Sequence, residues 1–174
     1  DFPRSENDRE RARQDLERAH GRIKRWTGQG TALPEWLGDR FTLINRIGRG
    51  GMADVFLVTD SNSGENVALK VIHDGQHLGR FRQEASLLQE IDSSYIVKVH
   101  ELIESANADS QGAAIVMDYV KGPHLGQLIR RREQPAEFAE VLTWMTGIAQ
   151  AMIDVSRESI THRDIKPSNI LIRE

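Results

Sequence analysis

A cluster of glycines between two strand patterns constrains the fold of this chain more than any other feature. Phe41-Thr42-Leu43-Ile44-Asn45-Arg46-Ile47 alternates apolar with polar side chains as a half-buried strand does. Asp54-Val55-Phe56-Leu57-Val58 repeats the pattern after the turn Gly48-Arg49-Gly50-Gly51-Met52-Ala53. A dinucleotide fold follows its glycines with a helix, and a Walker loop needs Gly-Lys-Ser/Thr, so the order strand, turn, strand excludes both. Glycines here let backbone amides approach phosphates without side-chain obstruction. On its own such a hairpin is more often a simple turn, which is how Gly64 in Asp60-Ser61-Asn62-Ser63-Gly64 is read.

The next strand, Val67-Ala68-Leu69-Lys70-Val71-Ile72, puts Ala68, Lys70 and Ile72 on one face and Val67, Leu69 and Val71 on the other. A lysine on a strand usually snorkels to solvent. The helix that follows favours a partner for it. In the run Arg80 to Ile91, Glu84 falls three residues after Phe81 and four before Leu88, with Ile91 completing the same face. An unpaired carboxylate on an apolar face is costly, so Lys70 is its expected partner, while Glu90 lies off that face.

Residues 96–103 and 113–120 read as two more strands around a polar loop from Ser105 to Gln111, making five strands interrupted by one helix. After Lys121-Gly122-Pro123 the pattern turns helical. A short helix runs from His124 to Arg132, its arginines suited to the negative end of the helix dipole. A long helix opens at Pro135 and carries Phe138, Val141, Leu142, Met145, Ile148, Ala149, Met152 and Ile153 at core spacing. It delivers the chain to Thr161-His162-Arg163-Asp164-Ile165-Lys166-Pro167-Ser168-Asn169, and Ile170-Leu171-Ile172 reads as the start of another strand. A carboxylate, a lysine and an amide within six residues are the equipment of phosphoryl transfer. The Asp accepts a proton from a hydroxyl, the Lys neutralises charge, and the Asn oxygen binds magnesium. Such a polar run is also commonly just a solvated loop.

From Arg4 to Trp26 a charged, proline-free stretch places Ala12, Leu16, Ala19, Ile23 and Trp26 on a narrow stripe. The simplest reading is a helix packed on the following domain; a partner-docking helix is the sharper alternative. Thr27-Gly28-Gln29-Gly30 breaks it, and Leu33-Pro34-Glu35-Trp36-Leu37-Gly38 anchors the chain to the folded part. With 174 residues, 39% of them hydrophobic, the chain has material for one sizeable core or two small lobes. A mixed surface of net charge −3 argues against nucleic acid as a partner, and no apolar run is long enough to span a membrane. The absence of cysteine excludes disulfides and thiolate zinc sites and fits a reducing, cytoplasmic setting, with any membrane anchor in a region outside these residues.

Taken in order, these motifs resemble those of a serine/threonine protein kinase of the eukaryotic-like (Hanks) type, bacterial branch, over residues 41 to 174. Ile47, Gly48, Arg49, Gly50, Gly51, Met52, Ala53 and Val55 match the loop that covers ATP phosphates; Ala53 replaces the third glycine. Val67-Ala68-Leu69-Lys70 matches the strand bearing the ATP lysine, Glu84 its helix partner, and His162 to Asn169 the catalytic loop. The resemblance implies an α+β kinase fold: a five-stranded antiparallel N-lobe with one helix at 41–120, then hinge and the start of a mainly helical C-lobe at 121–174, preceded by the helix and linker at 1–40. It implies that Ala68 packs on the purine, that Met117 is the gatekeeper, and that Asp118 to Val120 form the hinge. It further implies ATP and magnesium as cofactors, Asp164 as base, Lys166 as charge stabiliser, Asn169 as metal ligand, and a protein Ser/Thr hydroxyl as acceptor. Arg163 implies regulation through a phosphorylated activation segment.

The family's Asp-Phe-Gly is expected roughly eight residues beyond Asn169, past Glu174. Two expectations follow: the 174 residues alone do not transfer phosphate efficiently, and the long helix shows its apolar face. Two other functions compete with an active protein kinase. A pseudokinase or regulatory module would bind nucleotide or partners without catalysis. A small-molecule phosphotransferase shares the His-x-Asp-x-x-x-x-Asn loop, although the Gly-Arg-Gly-Gly-Met turn and Arg163 favour the protein kinase.

Overall fold

A computed structural model of the chain describes residues 32–73, 75–105, 112–160, 162 and 164–173. The expected helix from Arg4 to Trp26, the side chain of Arg163 and most of the 105–111 loop lie outside them. Five strands form one antiparallel sheet in the order β1-β2-β3-β5-β4: β1 Phe41–Arg49, β2 Ala53–Asp60, β3 Asn66–Ile72, β4 Val99–Glu104 and β5 Ala113–Asp118. Helix α1, Leu78–Glu90, lies between β3 and β4, and α2, Leu125–Arg131, and α3, Phe138–Arg157, follow the sheet. This is the α+β arrangement expected from the sequence.

The alternation read in β3 separates two cores. Val67, Leu69 and Val71 join Phe41, Phe56, Val58, Ala114 and Val116 on one face of the sheet. Ile72 joins Ala53, Phe81, Ala85, Val99, Ala113 and Ile115 on the face covered by α1. Because both faces are buried, nearly every residue of β3 is apolar, as strands covered on two sides require. β1 alternates less cleanly because its pairing with β2 is interrupted between Leu43 and Asn45 and again between Arg46 and Gly48. The β2–β3 turn closes with Gly64 at φ +74°, a conformation open to glycine at little cost, and its amide donates to Asp60 O at 2.7 Å.

The face away from α1 is closed by the segment ahead of β1. A 3₁₀ turn at Glu35–Arg40 buries Leu37, and Leu33 and Trp36 pack on the same cluster. The Trp36 indole lies so close to Gly112 that a Cβ there would fall 2.6 Å from its Nε1. Arg40 fixes this segment electrostatically. Its Nε and second guanidinium nitrogen donate to the two oxygens of Asp60 at 3.0 and 2.9 Å, and its remaining nitrogen reaches Glu101 at 2.7 Å. Asp60 is only 4% exposed. The Arg40 guanidinium, aided by the Asn62 amide, holds its carboxyl below the usual carboxylate range.

The sign of the pH effect follows. The folded state binds this proton more weakly than the unfolded chain, so the stabilisation is complete above the unfolded pKa of about 3.9 and fades as pH falls below it. Asp60→Asn is expected to lower stability by about 2 kcal/mol at neutral pH, less than a fully buried pair because Arg40 keeps some solvent contact. In urea titrations the gap from wild type should narrow as pH falls below about 4. A gap that stayed constant would show that the ionised pair is not its source.

Several sequence boundaries move; β5, for one, ends at Asp118 and not at residue 120. β4 begins at Val99 and not at residue 96, because Ile96 N–H donates to Ser93 O in a preceding turn. α3 begins at Phe138 and not at Pro135: Glu137, at ψ 148°, is still extended and supplies the first helical acceptor, to Val141 N–H. Residues 170–172 form no strand, only an isolated bridge of Leu171 with His124, because their partner enters α2 at Leu125. That helix opens on a capping box in which His124 and Gln127 each accept the other's backbone N–H. Along α3, Ala151 and Val155 are buried, while Phe138, Leu142, Met145 and Ile153 of the expected core stripe are exposed, Phe138 at 83%. The exposed face anticipated for this helix is therefore present.

Candidate functional site

The register of β2, β3 and β5 places the expected nucleotide residues on one surface. Gly48 pairs with Val55, Val55 with Lys70, and Ala68 with Met117, and residues paired in an antiparallel sheet share a face. It is the face on which α1 packs. Phe81 and Ala85 bury one side of α1 against the sheet, which brings Glu84 to the Lys70 ammonium, and the two form a short ion pair. The Phe81 ring centroid lies 5.6 Å from Lys70 Nζ, adding an aromatic neighbour to the cation. Arg82, on another side of α1, makes a two-pronged contact with Glu104 of β4.

Between β1 and β2 the chain turns through Gly50, Gly51 and Met52, all exposed. Gly50 N–H closes the turn by donating to Ala53 O at 2.9 Å, and a Cβ on Gly50 would sit 3.0 Å from that same oxygen. Close approach, not a left-handed backbone, is what calls for glycine here. Ile47 is exposed above the turn, while Ala53 and Ala68 are buried. At the far end, Asp118 N–H already donates to Lys98 O at 2.9 Å, and the Asp118 carboxylate meets His100 Nε2 at 2.7 Å. The Asp118 amide is therefore already engaged within the sheet edge.

The second cluster is built by the loop after α3. Lys166 Nζ donates to Asp164 Oδ2 at 2.8 Å, and Asn169 Nδ2 donates to both Asp164 Oδ2 and Asp164 O at 2.9 Å. A 3₁₀ turn at Pro167–Asn169 brings Asn169 back over Asp164, its amide N–H bonded to Lys166 O. Lys166 first, and then Asn169, hold the Asp164 carboxyl below its ordinary range, so it is ionised at neutral pH. Asp164 Oδ1 and the Asn169 amide oxygen have no hydrogen bond among the described residues. The loop is docked on α2 by Leu125 N–H to Ile170 O, 2.7 Å, and by Ile172 N–H to Pro123 O, 2.9 Å. Ser93 and Tyr95, just before β4, seat the sheet on α3: Ser93 Oγ donates to Asp154 at 2.6 Å and the Tyr95 ring lies against Gly147.

Comparisons with known proteins identify the family. The model of the protein kinase domain matches residues 41–174. The chain belongs to the protein kinase family. It is 36% identical to the probable serine/threonine-protein kinase PknB of Bifidobacterium longum over 155 residues, covering 83% of this chain and 22% of that protein. It is 36% identical to the serine/threonine-protein kinase PrkC of Bacillus subtilis over 138 residues, 76% of this chain and 20% of that protein. The kinase-domain crystal structure of Mycobacterium tuberculosis PknI superposes with a TM-score of 0.66 at 26% identity, over 82% of this chain and 59% of that one. The chain thus spans about a fifth of the length of these curated relatives. Protein kinases use ATP and magnesium, and the donors here suit them: an ammonium on the sheet face, and amide and carboxylate oxygens in the loop.

Sequence reasoning reached Lys70, Glu84, Asp164, Lys166 and Asn169. It did not reach two groups beside the glycine turn. Asp54, which the sequence places at the start of a strand and within the loop motif but without a role of its own, is 3% exposed, and His73 follows β3 where no periodic pattern extends. Only the register between β2 and β3 reveals that they meet.

Proposed function

We propose that these residues form the ATP site and catalytic loop of a serine/threonine protein kinase that transfers the γ-phosphoryl group to protein Ser or Thr hydroxyls. Residues 41–120 would act as the N-lobe and residues 121–174 as the hinge and start of the C-lobe. The observation that carries the reading is the Asp164 cluster. One carboxylate oxygen is held by Lys166 and Asn169, which leaves Oδ1 to orient the acceptor hydroxyl and take its proton. Lys166 stands beside that carboxylate, where a cation stabilises charge on the transferring group. Lys70, oriented by Glu84, serves the inner phosphates, and the Gly48–Ala53 turn covers them with Val55. Ala68, Met117, Ile47 and the 118–120 segment enclose the base. Magnesium, when bound, neutralises phosphate charge, and the Asn169 amide oxygen would hold it from this loop. No helix among the described residues is long and apolar enough to cross a membrane.

Thermal unfolding with and without ATP and magnesium tests the reading. A ligand at 100 times its Kd stabilises the folded state by about 2.7 kcal/mol, which shifts the melting temperature by several degrees. Wild type should show that shift, and Lys70→Met should lose most of it while melting at nearly the wild-type temperature without nucleotide. A wild-type chain indifferent to nucleotide would overturn the proposal. Binding without phosphotransfer by the complete protein would instead favour a pseudokinase.

A further inference from the structure

The corner where β2 begins holds a contact that the kinase reading leaves unused. β2 pairs with β3 so that Ala53 lies opposite Ile72, which sets His73, the next residue, beside Met52 of the glycine turn. His73 N–H donates to Met52 O at 3.0 Å. The ring then reaches the same turn twice more. Its Nδ1 is 3.3 Å from Gly51 O, and its Nε2 is 3.4 Å from Asp54 Oδ1.

Asp54 needs such a neighbour. Its Oδ1 is buried and has no hydrogen-bond partner among the described residues, and its Oδ2 has Arg46 at 3.7 Å. A buried carboxylate oxygen without a donor is destabilising, and the imidazole is the polar group that faces it. Gly50, Gly51 and Met52 of the turn are exposed, and its own closure is the Gly50 to Ala53 bond.

We propose that His73 is a positioning residue for nucleotide binding, clamping the glycine turn from behind through Gly51 O and Asp54 so that the turn's outward amides are preset for phosphate. This rests on the nucleotide reading above. An ordered turn loses less conformational freedom on binding, so the clamp acts on affinity through the backbone and not by touching ATP.

The test measures two quantities on the whole chain: hydrogen exchange of the peptide spanning Gly50–Ala53 without nucleotide, and the Kd of a non-hydrolysable ATP analogue with magnesium. His73→Ala should speed exchange of that peptide and weaken the analogue about tenfold, while the melting temperature stays within about 2 °C of wild type. His73→Asn places an amide nitrogen near the position of Nδ1 and should restore slow exchange and most of the affinity. Unchanged exchange in His73→Ala, or affinity that falls only in step with melting temperature, would overturn the proposal. If wild type fails to bind the analogue, the nucleotide reading fails, and the exchange comparison still decides whether His73 clamps the turn.

Discussion

Asp164→Asn is expected to lower the kcat of the complete protein about a thousandfold, within the range that general-base groups supply. The substitution keeps the size of the side chain and an acceptor oxygen, but an amide takes no proton. Its remaining oxygen can keep the place that accepts from Lys166 Nζ and Asn169 Nδ2, and its NH₂ then stands where Oδ1 would take the proton. Affinity for ATP should stay within about threefold, because in this reading Asp164 addresses the acceptor hydroxyl and the phosphates belong to Lys70 and the glycine turn. Initial-rate kinetics with a peptide acceptor separate the two quantities. Retention of more than a tenth of wild-type kcat would remove Asp164 from the role of base.

The second large effect concerns what holds α1 in place. The Lys70–Glu84 pair has an obvious claim, but Glu84 is 41% exposed, and partly solvated pairs contribute only about 0–1 kcal/mol. Phe81 is 4% exposed and inserts among Ile72, Val99 and Ile115. Truncating such a ring costs about 3–5 kcal/mol, so burial outweighs the ion pair. Phe81→Ala should therefore destabilise the chain by about 3 kcal/mol and weaken nucleotide binding further, because the helix that presents Glu84 loses its anchor. Glu84→Gln should cost under about 1 kcal/mol of stability yet still impair nucleotide binding. Urea denaturation decides the matter: if Glu84→Gln proved the more destabilising of the two, the ion pair and not the ring would be the latch.

Much of this was legible before any coordinates. In β3 the alternation puts Val67, Leu69 and Val71 in one core and Ile72 in the other, because period two is imposed by the backbone itself. Glu84 was legible because Phe81, Leu88 and Ile91 fix the face on which it must lie. What escaped depends on partners distant in sequence. The start of β4 is set by a bond from Ile96 back to Ser93, and the fate of Leu171 by where its neighbour turns helical. Nothing local in Asp54 or His73 announces that they meet; their proximity is a product of hairpin register. The apolar stripe of α3 was correctly periodic, yet periodicity says which face is apolar and not what covers it.

The closure of the second sheet face by Leu33, Trp36 and Leu37 separates two boundaries that are easily taken as one. The family match begins at Phe41, but the unit that folds begins earlier. A chain trimmed to start at Phe41 would wet the side of the sheet formed by Phe56, Val58 and Leu69, and would lose the Arg40 link between the β2–β3 turn and β4. For anyone preparing this protein, the first residue to keep is set by a tryptophan lying on a glycine and not by the edge of sequence similarity.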